Sequence, residues 1–353
     1  MTHKILVTGA AGFIGSNFVH YWMEQYPNDD VIAYDLLTYA GNEANLAPLR
    51  DNSKLKFVQG DINDTELVKS LLIEHNIDTL VHFAAESHVD RSISGPDVFI
   101  ETNVTGTHSL LKAAKSIWLD GSGKDHRFHH ISTDEVYGSL KLGDAPFHEK
   151  LQYQPNSPYS ASKAASDHMV RAYHHTYGLQ VTTSNCSNNY GPYHFPEKLI
   201  PLCITNALLD KPLPIYGAGQ NIRDWLHVSD HCRGIDLILK QGKVDENYNI
   251  GGNNEWTNLD IVTLICKILD QRFEQRPELA QRYPKARALR DKTESLIHYV
   301  TDRPGHDLRY AIDATKINQE LGYEPAYTFE KGINQTIDWY LDNPDWWTPL
   351  LKG

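Results

Sequence analysis

The feature that most constrains the fold is a glycine-rich loop that directly follows the first apolar run of the chain. Residues 5–8 (ILVT) are typical of a short buried strand, and Gly9, Gly12 and Gly15 follow them with the spacing GxxGxxG. The first glycine permits a tight turn, the second lets the backbone approach a pyrophosphate, and the third lets the next helix pack on the strand. Because free N–H groups at a helix N-terminus attract phosphate, the loop predicts a dinucleotide-binding unit.

The rest of the first half alternates short apolar runs with segments of helical periodicity. Further strands are predicted at residues 31–34, 56–58, 79–83, 128–132 and 181–183, and helices at segments such as 65–75 and 99–119. This alternation favours an α/β fold with a Rossmann-type, doubly wound parallel sheet that carries helices on both faces.

The character of the chain changes after about residue 190, where prolines become frequent and the predicted elements shorter. Later helices are predicted at 259–269, 315–321 and 329–340. A chain of 353 residues exceeds one usual compact core. We therefore expect a Rossmann domain over residues 1–190 and a smaller, mixed α/β substrate-binding lobe over 191–353. Segments near 220–250 and 308–322 are expected to return to the first domain.

Composition excludes several classes of partner. The formal net charge of -12 argues against nucleic acid, which needs a basic face, but leaves open a phosphorylated ligand in a locally positive pocket. No secretion signal and no stretch of membrane-spanning length is visible, so we expect a cytoplasmic protein with no membrane partner. The cysteines are scattered without a CxxC pair and are expected to be reduced and mostly buried.

Histidine is frequent, with 18 residues, which raises the question of a metal site. His126 and His130 lie four apart, but residues 128–132 are a predicted strand, and this spacing brings two ligands together on a helix instead. We therefore expect no metal.

Two acidic residues follow predicted strands at positions where a bound dinucleotide would meet them. Asp35 closes the second strand, 20 residues after Gly15, where an acid accepts hydrogen bonds from the adenosine ribose and repels a 2′-phosphate. Asp61, after the third strand, would lie near the adenine edge. Both could instead cap a turn. We expect the cofactor to be NAD and not NADP.

Tyr159 and Lys163 have the spacing YxxxK, which places them one helical turn apart on one face. A phenol with an ordinary pKa of about 10 is a poor base near neutrality. A neighbouring ammonium and a bound nicotinamide cation both favour the phenolate, so Tyr159 is a candidate base for alcohol oxidation. The pattern is weak alone and becomes specific in combination with the glycine loop.

Together these motifs resemble the extended short-chain dehydrogenase/reductase superfamily and, within it, the dTDP-glucose 4,6-dehydratases. The finer resemblance extends over nearly the whole chain. It is carried by the runs at 39–42 (YAGN), 83–92 (FAAESHVDRS), 101–103 (ETN), 133–138 (TDEVYG), 188–192 (NNYGP), 223–225 (RDW) and 302–307 (DRPGHD).

The resemblance implies a catalytic set of Thr133, Asp134, Glu135, Tyr159 and Lys163. Tyr159 would take the C4 hydroxyl proton, Glu135 the C5 proton, and Asp134 would protonate the departing C6 hydroxyl. Thr133 would hydrogen-bond the C4 oxygen. The three residues 133–135 also fit a helix entry with a threonine cap, and both interpretations are compatible.

The resemblance also implies binding roles for many residues. The residues expected to bind NAD are Gly9, Gly12, Phe13, Ile14, Gly15, Asp35, Leu36, Thr38, Asp61, Ile62, Phe83, Ala84, Ala85, Thr102, Tyr159, Lys163 and Asn189. The residues expected to bind the nucleotide sugar dTDP-glucose are Ser87, Thr133, Glu135, Asn188, Lys198, Leu199, Pro214, Tyr216, Arg223, Asn258, Arg303 and His306.

Arg223 and Lys198 suit a diphosphate, because guanidinium and ammonium groups pair with phosphate oxygens; the commoner fate of either is a surface salt bridge. The chain departs from the family pattern at Ala10, where glycine is usual, and at Leu36, where a basic residue is frequent. Leu36 removes a possible contact to the adenosine end of the cofactor.

Three alternatives remain open from the sequence. A nucleotide-sugar 4-epimerase shares Tyr159 and Lys163 but has no use for an acid–base pair at 134–135. A GDP- or UDP-sugar dehydratase would differ only in base recognition. A non-catalytic NAD-binding regulator would be favoured if a catalytic residue were missing. The long helices around 98–119 and 159–177 are those that pair across a two-fold axis in this superfamily, so we expect a homodimer.

Overall fold

The structure is a computed structural model that describes residues 2–352. The strands in this part of the chain are β1 (Lys4–Thr8), β2 (Asp30–Asp35), β3 (Leu55–Gln59), β4 (Thr79–His82), β5 (Arg127–Thr133), β6 (Val181–Cys186), β7 (Asn188–Tyr190), β8 (Leu213–Tyr216), β9 (Ile222–His227), β10 (Asn247–Ile250), β11 (Glu255–Thr257) and β12 (Ile297–Val300). The six runs predicted as strands correspond to β1–β6.

The α-helices are α1 (Phe13–Gln25), α2 (Thr65–Glu74), α3 (Val89–Ser94), α4 (Asp97–Phe99), α5 (Thr107–Ala114), α6 (Pro158–Tyr177), α7 (Leu199–Leu208), α8 (Val228–Gln241), α9 (Asn258–Gln275), α10 (Leu279–Arg282), α11 (Thr315–Leu321), α12 (Phe329–Asp342) and α13 (Pro344–Trp347). Short 3₁₀ segments occur at Glu43–Leu49, Asp134–Tyr137, Arg287–Leu289, Thr293–Leu296 and Pro349–Lys352.

Seven strands form one parallel sheet in the order β10-β6-β5-β4-β1-β2-β3. The strand order reverses direction between β1 and β4, which makes this the switch point where an open α/β sheet binds ligands at its carboxyl edge. The predicted doubly wound parallel sheet is therefore confirmed. Two smaller sheets, β11-β9-β7 and β12-β8, lie outside it.

The central strands are buried on both faces, and alternate residues enter different cores. In β1, Ile5 and Val7 join the core that contains residues of α1, α8 and α11, whereas Leu6 joins the core that contains residues of α2, α5 and α6. A third core, around α7, α9 and α12, belongs to the later part of the chain. Thus α8, β10 and α11 associate with the large sheet; the division into two domains at residue 190 remains a prediction.

The helix predicted over 99–119 differs from a regular α-helix. Two π-helical segments, Ile100–Gly106 and Lys115–Ser122, flank α5. A π segment shifts the direction of the side chains that follow it. In the first segment, the buried Asn103 side chain bonds both the N–H and the C=O of Glu86 and also the hydroxyl of Ser162 on α6. Helix propensity and hydrophobic periodicity do not predict where a helix changes from α- to π-helical geometry.

The turn after β1 depends on glycine at its first position. Gly9 has a φ of +69°, and a Cβ there would lie 2.6 Å from the backbone nitrogen of Ala84. The β1–α1 turn and the end of β4 are thus in direct backbone contact at the switch point.

Gly9→Ala is expected to destabilise the fold by about 2–5 kcal/mol, the sum of left-handed strain and forced displacement of the β4 backbone. Gly123→Ala is the matched control, because Gly123 has a φ of +59° with nothing within 4 Å of its Cβ position. It should lose about 1–2 kcal/mol. Urea unfolding of both variants measures the difference, and equal losses would contradict this account.

Candidate active site

A cavity of about 640 Å³ opens at the carboxyl edge of the large sheet. Every residue predicted to bind the cofactor or the nucleotide sugar lines it. Among the predicted catalytic residues, Thr133, Glu135, Tyr159 and Lys163 also line it, and Asp134 does not. The fold thus brings together at one site predicted residues that are scattered along the sequence from Gly9 to His306. Their individual roles remain predictions.

The glycine loop has the features that a dinucleotide requires. Gly12 precedes α1 without a side-chain cap, and no acidic residue lies in the first turn of that helix. The N–H groups and positive dipole end of α1 therefore remain available to an anion. A chain with a Cβ at Gly9 could not bring this loop against Ala84. The residues present fit NAD.

Asp35 serves the loop as well as facing the cavity. Its carboxylate accepts hydrogen bonds from the backbone N–H groups of Ala11 (2.9 Å) and Leu37 (2.8 Å). Burial raises the pKa of this carboxyl, and the backbone donors oppose that shift. Each oxygen retains acceptor capacity, so the turn-capping and ribose-binding interpretations are both compatible with the geometry.

Asp61 also has a structural task. Its Oδ1 accepts hydrogen bonds from the backbone N–H and the side-chain amide of Asn63, as expected of a turn. It lines the cavity nonetheless, and Ile62 beside it is buried under Gly106.

Tyr159 and Lys163 lie on α6, which begins with a capping box between Ser157 and Ser160. Lys163 is buried and donates a hydrogen bond to the carbonyl of Ile131 on β5 at 2.8 Å. Burial lowers the pKa of Lys163 to about 8. An ammonium with that pKa is still largely charged at neutral pH.

The environment of Tyr159 in the protein alone opposes the phenolate form. Burial raises the pKa of Tyr159 well above its ordinary value, Glu135 raises it further, and a hydrogen bond to Thr133 opposes the shift. The protein alone therefore does not favour the phenolate. The sequence indicates two positive charges that favour the phenolate, the Lys163 ammonium and a bound nicotinamide cation. The protein chain supplies only the first.

Thr133 is the last residue of β5, Asp134 and Glu135 follow it, and the predicted helix entry is present. Thr133 caps the 3₁₀ segment Asp134–Tyr137 by accepting the N–H of Glu135 at 3.2 Å. Glu135 lines the cavity, and burial raises its pKa against the opposing charges of Arg223 and Arg303.

Asp134 differs from the expectation that both acids face the same carbon pair. It is 1% exposed and lies outside the cavity lining, and its Oδ2 has no hydrogen-bond partner. Successive residues of a 3₁₀ helix point about 120° apart, so neighbouring acids cannot both face the cavity. Burial, followed by the charge of Glu135, raises the pKa of Asp134 well above its ordinary value. A protonated carboxyl is what a general acid needs.

The basic residues predicted to bind the nucleotide sugar divide into two kinds. Arg223 is 5% exposed, donates to the carbonyls of Ile222 and Asp307, and stacks over Tyr310. Within residues 2–352, neither Arg223 nor Lys198 has a carboxylate partner within 4.0 Å. A surface salt bridge is thus the wrong description of both.

Arg303 and His306 are the other kind, because each is paired with an acid. Arg303 contacts Asp90 at 2.8 Å, and His306 contacts Asp302 at 2.6 Å. Tyr216 also donates to Asp90. Any anion bound by Arg303 would share it with Asp90.

The sequence assigns no role to several residues in or beside the cavity, of which Tyr39, Glu86 and Arg91 lie in the quoted motifs. Glu86, a largely buried acid with a pKa raised by burial, lines the cavity after β4. Arg91 lies 3.6 Å above the ring of Tyr39 and 3.3 Å from Glu197, which joins three loops beside the cavity. The sequence signal for Glu86 and Arg91 was their position after the central strand β4. Their partners can be identified only from contacts in the folded structure.

Comparison with known proteins gives a consistent result. Residues 6–336 match the family described as GDP-mannose 4,6 dehydratase. A dTDP-glucose 4,6-dehydratase of Xanthomonas campestris pv. campestris is 58% identical over 99% of this chain and 96% of its own length. One from Escherichia coli is 52% identical over 99% of this chain and 97% of its own.

The chain belongs to the dTDP-glucose 4,6-dehydratase family. Solved structures of the family resemble it closely. The Bacillus anthracis enzyme in complex with NAD has a TM-score of 0.86 at 46% identity, covering 99% of this chain and 100% of that one. The Streptomyces venezuelae enzyme DesIV, with NAD and the ligand TYD bound, has a TM-score of 0.87 at 48% identity, covering 98% and 99%.

No helix within residues 2–352 is both long enough and apolar enough to cross a membrane. No group of three or more histidine, cysteine, aspartate or glutamate side chains in the same residues is arranged to hold a metal ion. All four cysteines are free and buried.

Lys198→Met is expected to weaken dTDP binding roughly tenfold or more, because a charge-assisted hydrogen bond to phosphate contributes about 1.5–3 kcal/mol. Within residues 2–352, the Lys198 ammonium donates a hydrogen bond to the carbonyl of Ser87, at 3.0 Å. Lys211→Met, at an exposed position outside the cavity, is the control. Calorimetric titration with dTDP measures both, and equal affinities would remove Lys198 from the diphosphate site.

Proposed function

We propose that this chain converts dTDP-glucose to dTDP-4-keto-6-deoxyglucose by oxidation at C4, elimination of water across C5 and C6, and return of the hydride to C6. The observation that carries the proposal is the convergence of Thr133, Glu135, Tyr159 and Lys163 on a single cavity with the glycine loop. Relatives at 51–58% identity over nearly the whole chain are dTDP-glucose 4,6-dehydratases. The enzyme is a hydro-lyase that uses NAD.

In the oxidation, Tyr159 takes the proton of the C4 hydroxyl while Thr133 hydrogen-bonds the same oxygen. The chemistry that NAD supplies when bound is removal of the C4 hydride and its later return to C6. Asp35 and the α1 N-terminus would hold the adenosine and pyrophosphate ends of the cofactor, and Lys163 would hydrogen-bond its nicotinamide ribose. Its ammonium has donors left after the bond to Ile131.

In the elimination, the new C4 ketone acidifies the C5 proton, which Glu135 removes. Asp134 protonates the leaving C6 hydroxyl. The raised pKa of Asp134 keeps its proton in place until that step. Since Asp134 is outside the cavity lining, its proton must reach C6 by a small rotation of the side chain or through a bridging water.

The alternative activities fit less well. A UDP-glucose 4-epimerase from Thermotoga maritima has the same fold, with a TM-score of 0.81, but only 26% identity. An epimerase also has no use for the buried carboxyl pair at 134–135. The matching family is named for GDP-mannose, whereas the relatives above 50% identity act on dTDP-glucose by name. We therefore propose dTDP over GDP.

We also propose that the protein works as a cytoplasmic homodimer. Both long helical segments carry exposed apolar side chains: Val98 and Ile100 on one and Tyr177 on the other. Scattered exposed apolar residues are normal, but a set on two packed helices suits an isologous four-helix contact.

The acid–base roles predict a division between the half-reactions. Asp134→Asn and Glu135→Gln should bind dTDP-glucose and oxidise C4 but lose roughly 100- to 10,000-fold in formation of the 4-keto-6-deoxy product. Tyr159→Phe should block the first hydride transfer. Reduced-cofactor absorbance in a single turnover separates the two steps.

Substrate deuterated at C4 tests the same scheme in the unaltered protein. The label should appear at C6 of the product, because the hydride never leaves the site. Loss of the label to solvent, or wild-type turnover by Glu135→Gln, would refute the assigned roles. A product that is only the C4 epimer would establish the alternative activity.

For the dimer, light scattering at micromolar concentration should give twice the mass of the chain. Ile100→Glu should shift it towards monomer, because a charge would be buried in the contact. Ile73→Glu on α2, which is also exposed, serves as the control. A monomeric wild-type protein would contradict the proposal.

A further inference from the structure

A second cavity, of about 1070 Å³, opens on another side of α6. Lys163 lines the active-site cavity, whereas Asp167, one turn later on the same helix, lines the second. Asp167 is thus a buried acid next to the catalytic pair for which neither the sequence nor the proposed chemistry provides a role.

The carboxylate of Asp167 is held firmly against β5. It accepts the hydroxyl of Ser132 at 2.8 Å, and His130 Nε2 lies 3.1 Å from its other oxygen. Burial lowers the pKa of His130 well below its ordinary value, so the ring is neutral and Nε2–H donates. His130 Nδ1 has no partner, which agrees with an unprotonated nitrogen there. Two donors and no acceptor face the carboxylate, an arrangement that suits its charged form.

Lys163 is anchored to the same strand, between the two residues that hold Asp167. Its ammonium donates to the carbonyl of Ile131, while His130 and Ser132 contact Asp167. β5 therefore fixes the lysine and the carboxylate together. Within residues 2–352 Lys163 has no carboxylate within 4.0 Å, so Asp167 acts on it through space and not as a contact pair.

We propose that Asp167 is a positioning residue for the catalytic pair: its carboxylate supplies, from the side of α6 that faces the second cavity, the negative charge that keeps the Lys163 ammonium charged near Tyr159. The inference rests on the proposed function, because it assigns Asp167 a part in the activation of Tyr159.

The charges around both groups agree in direction. Burial lowers the pKa of Lys163 to about 8, and Asp167 is the largest influence that opposes this. Burial raises the pKa of Asp167 to about 6, opposed by Lys163 and by the Ser132 hydroxyl. At neutral pH both groups are therefore mainly charged.

Other titratable groups face this pair from several elements. His130 on β5, Tyr153 before α6 and Tyr137 in the 3₁₀ segment after β5 face Asp167. His82 on β4, His130 and Cys186 at the end of β6 face Lys163. The other charged residues that line the second cavity are Glu149, Lys150, Arg171, Asp245, Glu246, Asp313, Lys316 and Glu320. Only Asp167 among the cavity's acids has its charge buried next to Lys163.

The test is the pH dependence of kcat for formation of the 4-keto product from dTDP-glucose. In the wild-type protein kcat should fall as the pH rises through about 8, where Lys163 loses its proton. Asp167→Asn removes the charge that raises this pKa, so the fall should move to lower pH by about one unit. The KM should change little, because Asp167 does not line the substrate cavity.

Asp245→Asn is the matched control, since it makes the same substitution in the same cavity at a carboxylate paired with His175. It should keep the wild-type profile. Asp167→Glu, which restores the charge, should return the limb towards wild type. A merely structural role would lower kcat equally at all pH values, and an unmoved basic limb in Asp167→Asn would overturn the proposal.

If Asp167→Asn does not fold, Asp167→Ser decides, because it removes the same charge with a smaller side chain. The basic limb of kcat should again move to lower pH, and an unmoved basic limb would overturn the proposal. Failure of the proposed function is a separate result, because the wild-type protein would then form no 4-keto product at any pH.

Discussion

The backbone contact between the β1–α1 turn and the end of β4 is the constraint on which the site depends. Because Gly9 lacks a Cβ, it adopts its left-handed conformation without strain, and the turn can lie directly against Ala84. The contact fixes the α1 N-terminus and the residues after β4 at the switch point of the sheet. The cofactor loop, the 83–87 segment and the catalytic helix α6 then meet along one edge.

Electrostatics in this site are governed by burial more than by pairing. Tyr159, Glu135 and Asp134 all have pKa values raised primarily by removal from water, and Lys163 has one lowered for the same reason. Each titratable group of the proposed catalytic set is therefore shifted towards its neutral form. The shift keeps a proton on Asp134 and makes the tyrosine depend on positive charge brought close to it, whereas Arg223 and Arg303 oppose the shift at Glu135, the proposed base. The charges that burial disfavours in the protein alone would therefore be stabilised by the charges of the bound substrate and cofactor.

Much of the fold could be predicted from the sequence because local patterns determine it. The apolar runs of β1–β6, the glycine loop and α6 are encoded by neighbouring residues. Three features could not be predicted: the π-helical segments around α5, the position of Asp134 outside the cavity lining, and the pairing of Arg303 with Asp90. Each depends on contacts between residues far apart in sequence, or on the turn geometry that follows a strand. Family resemblance implies that Asp134 is a catalytic acid but carries no information on which way its carboxyl points.

Asn103 has a consequence for how such enzymes diversify. Its side chain bonds the backbone of Glu86 on both sides and the hydroxyl of Ser162, and its own carbonyl accepts the hydroxyl of Thr107. These bonds hold together the segment after β4, the first π-helical segment and α6, all of which contribute residues to the cavity lining. Other lining residues, such as Pro214, Tyr216 and Asn258, come from the later part of the chain, and within residues 2–352 they make no hydrogen bond to Glu86, Asn103 or Ser162. Specificity for the sugar or the base can thus change through these later residues while the elements joined by Asn103 stay the same.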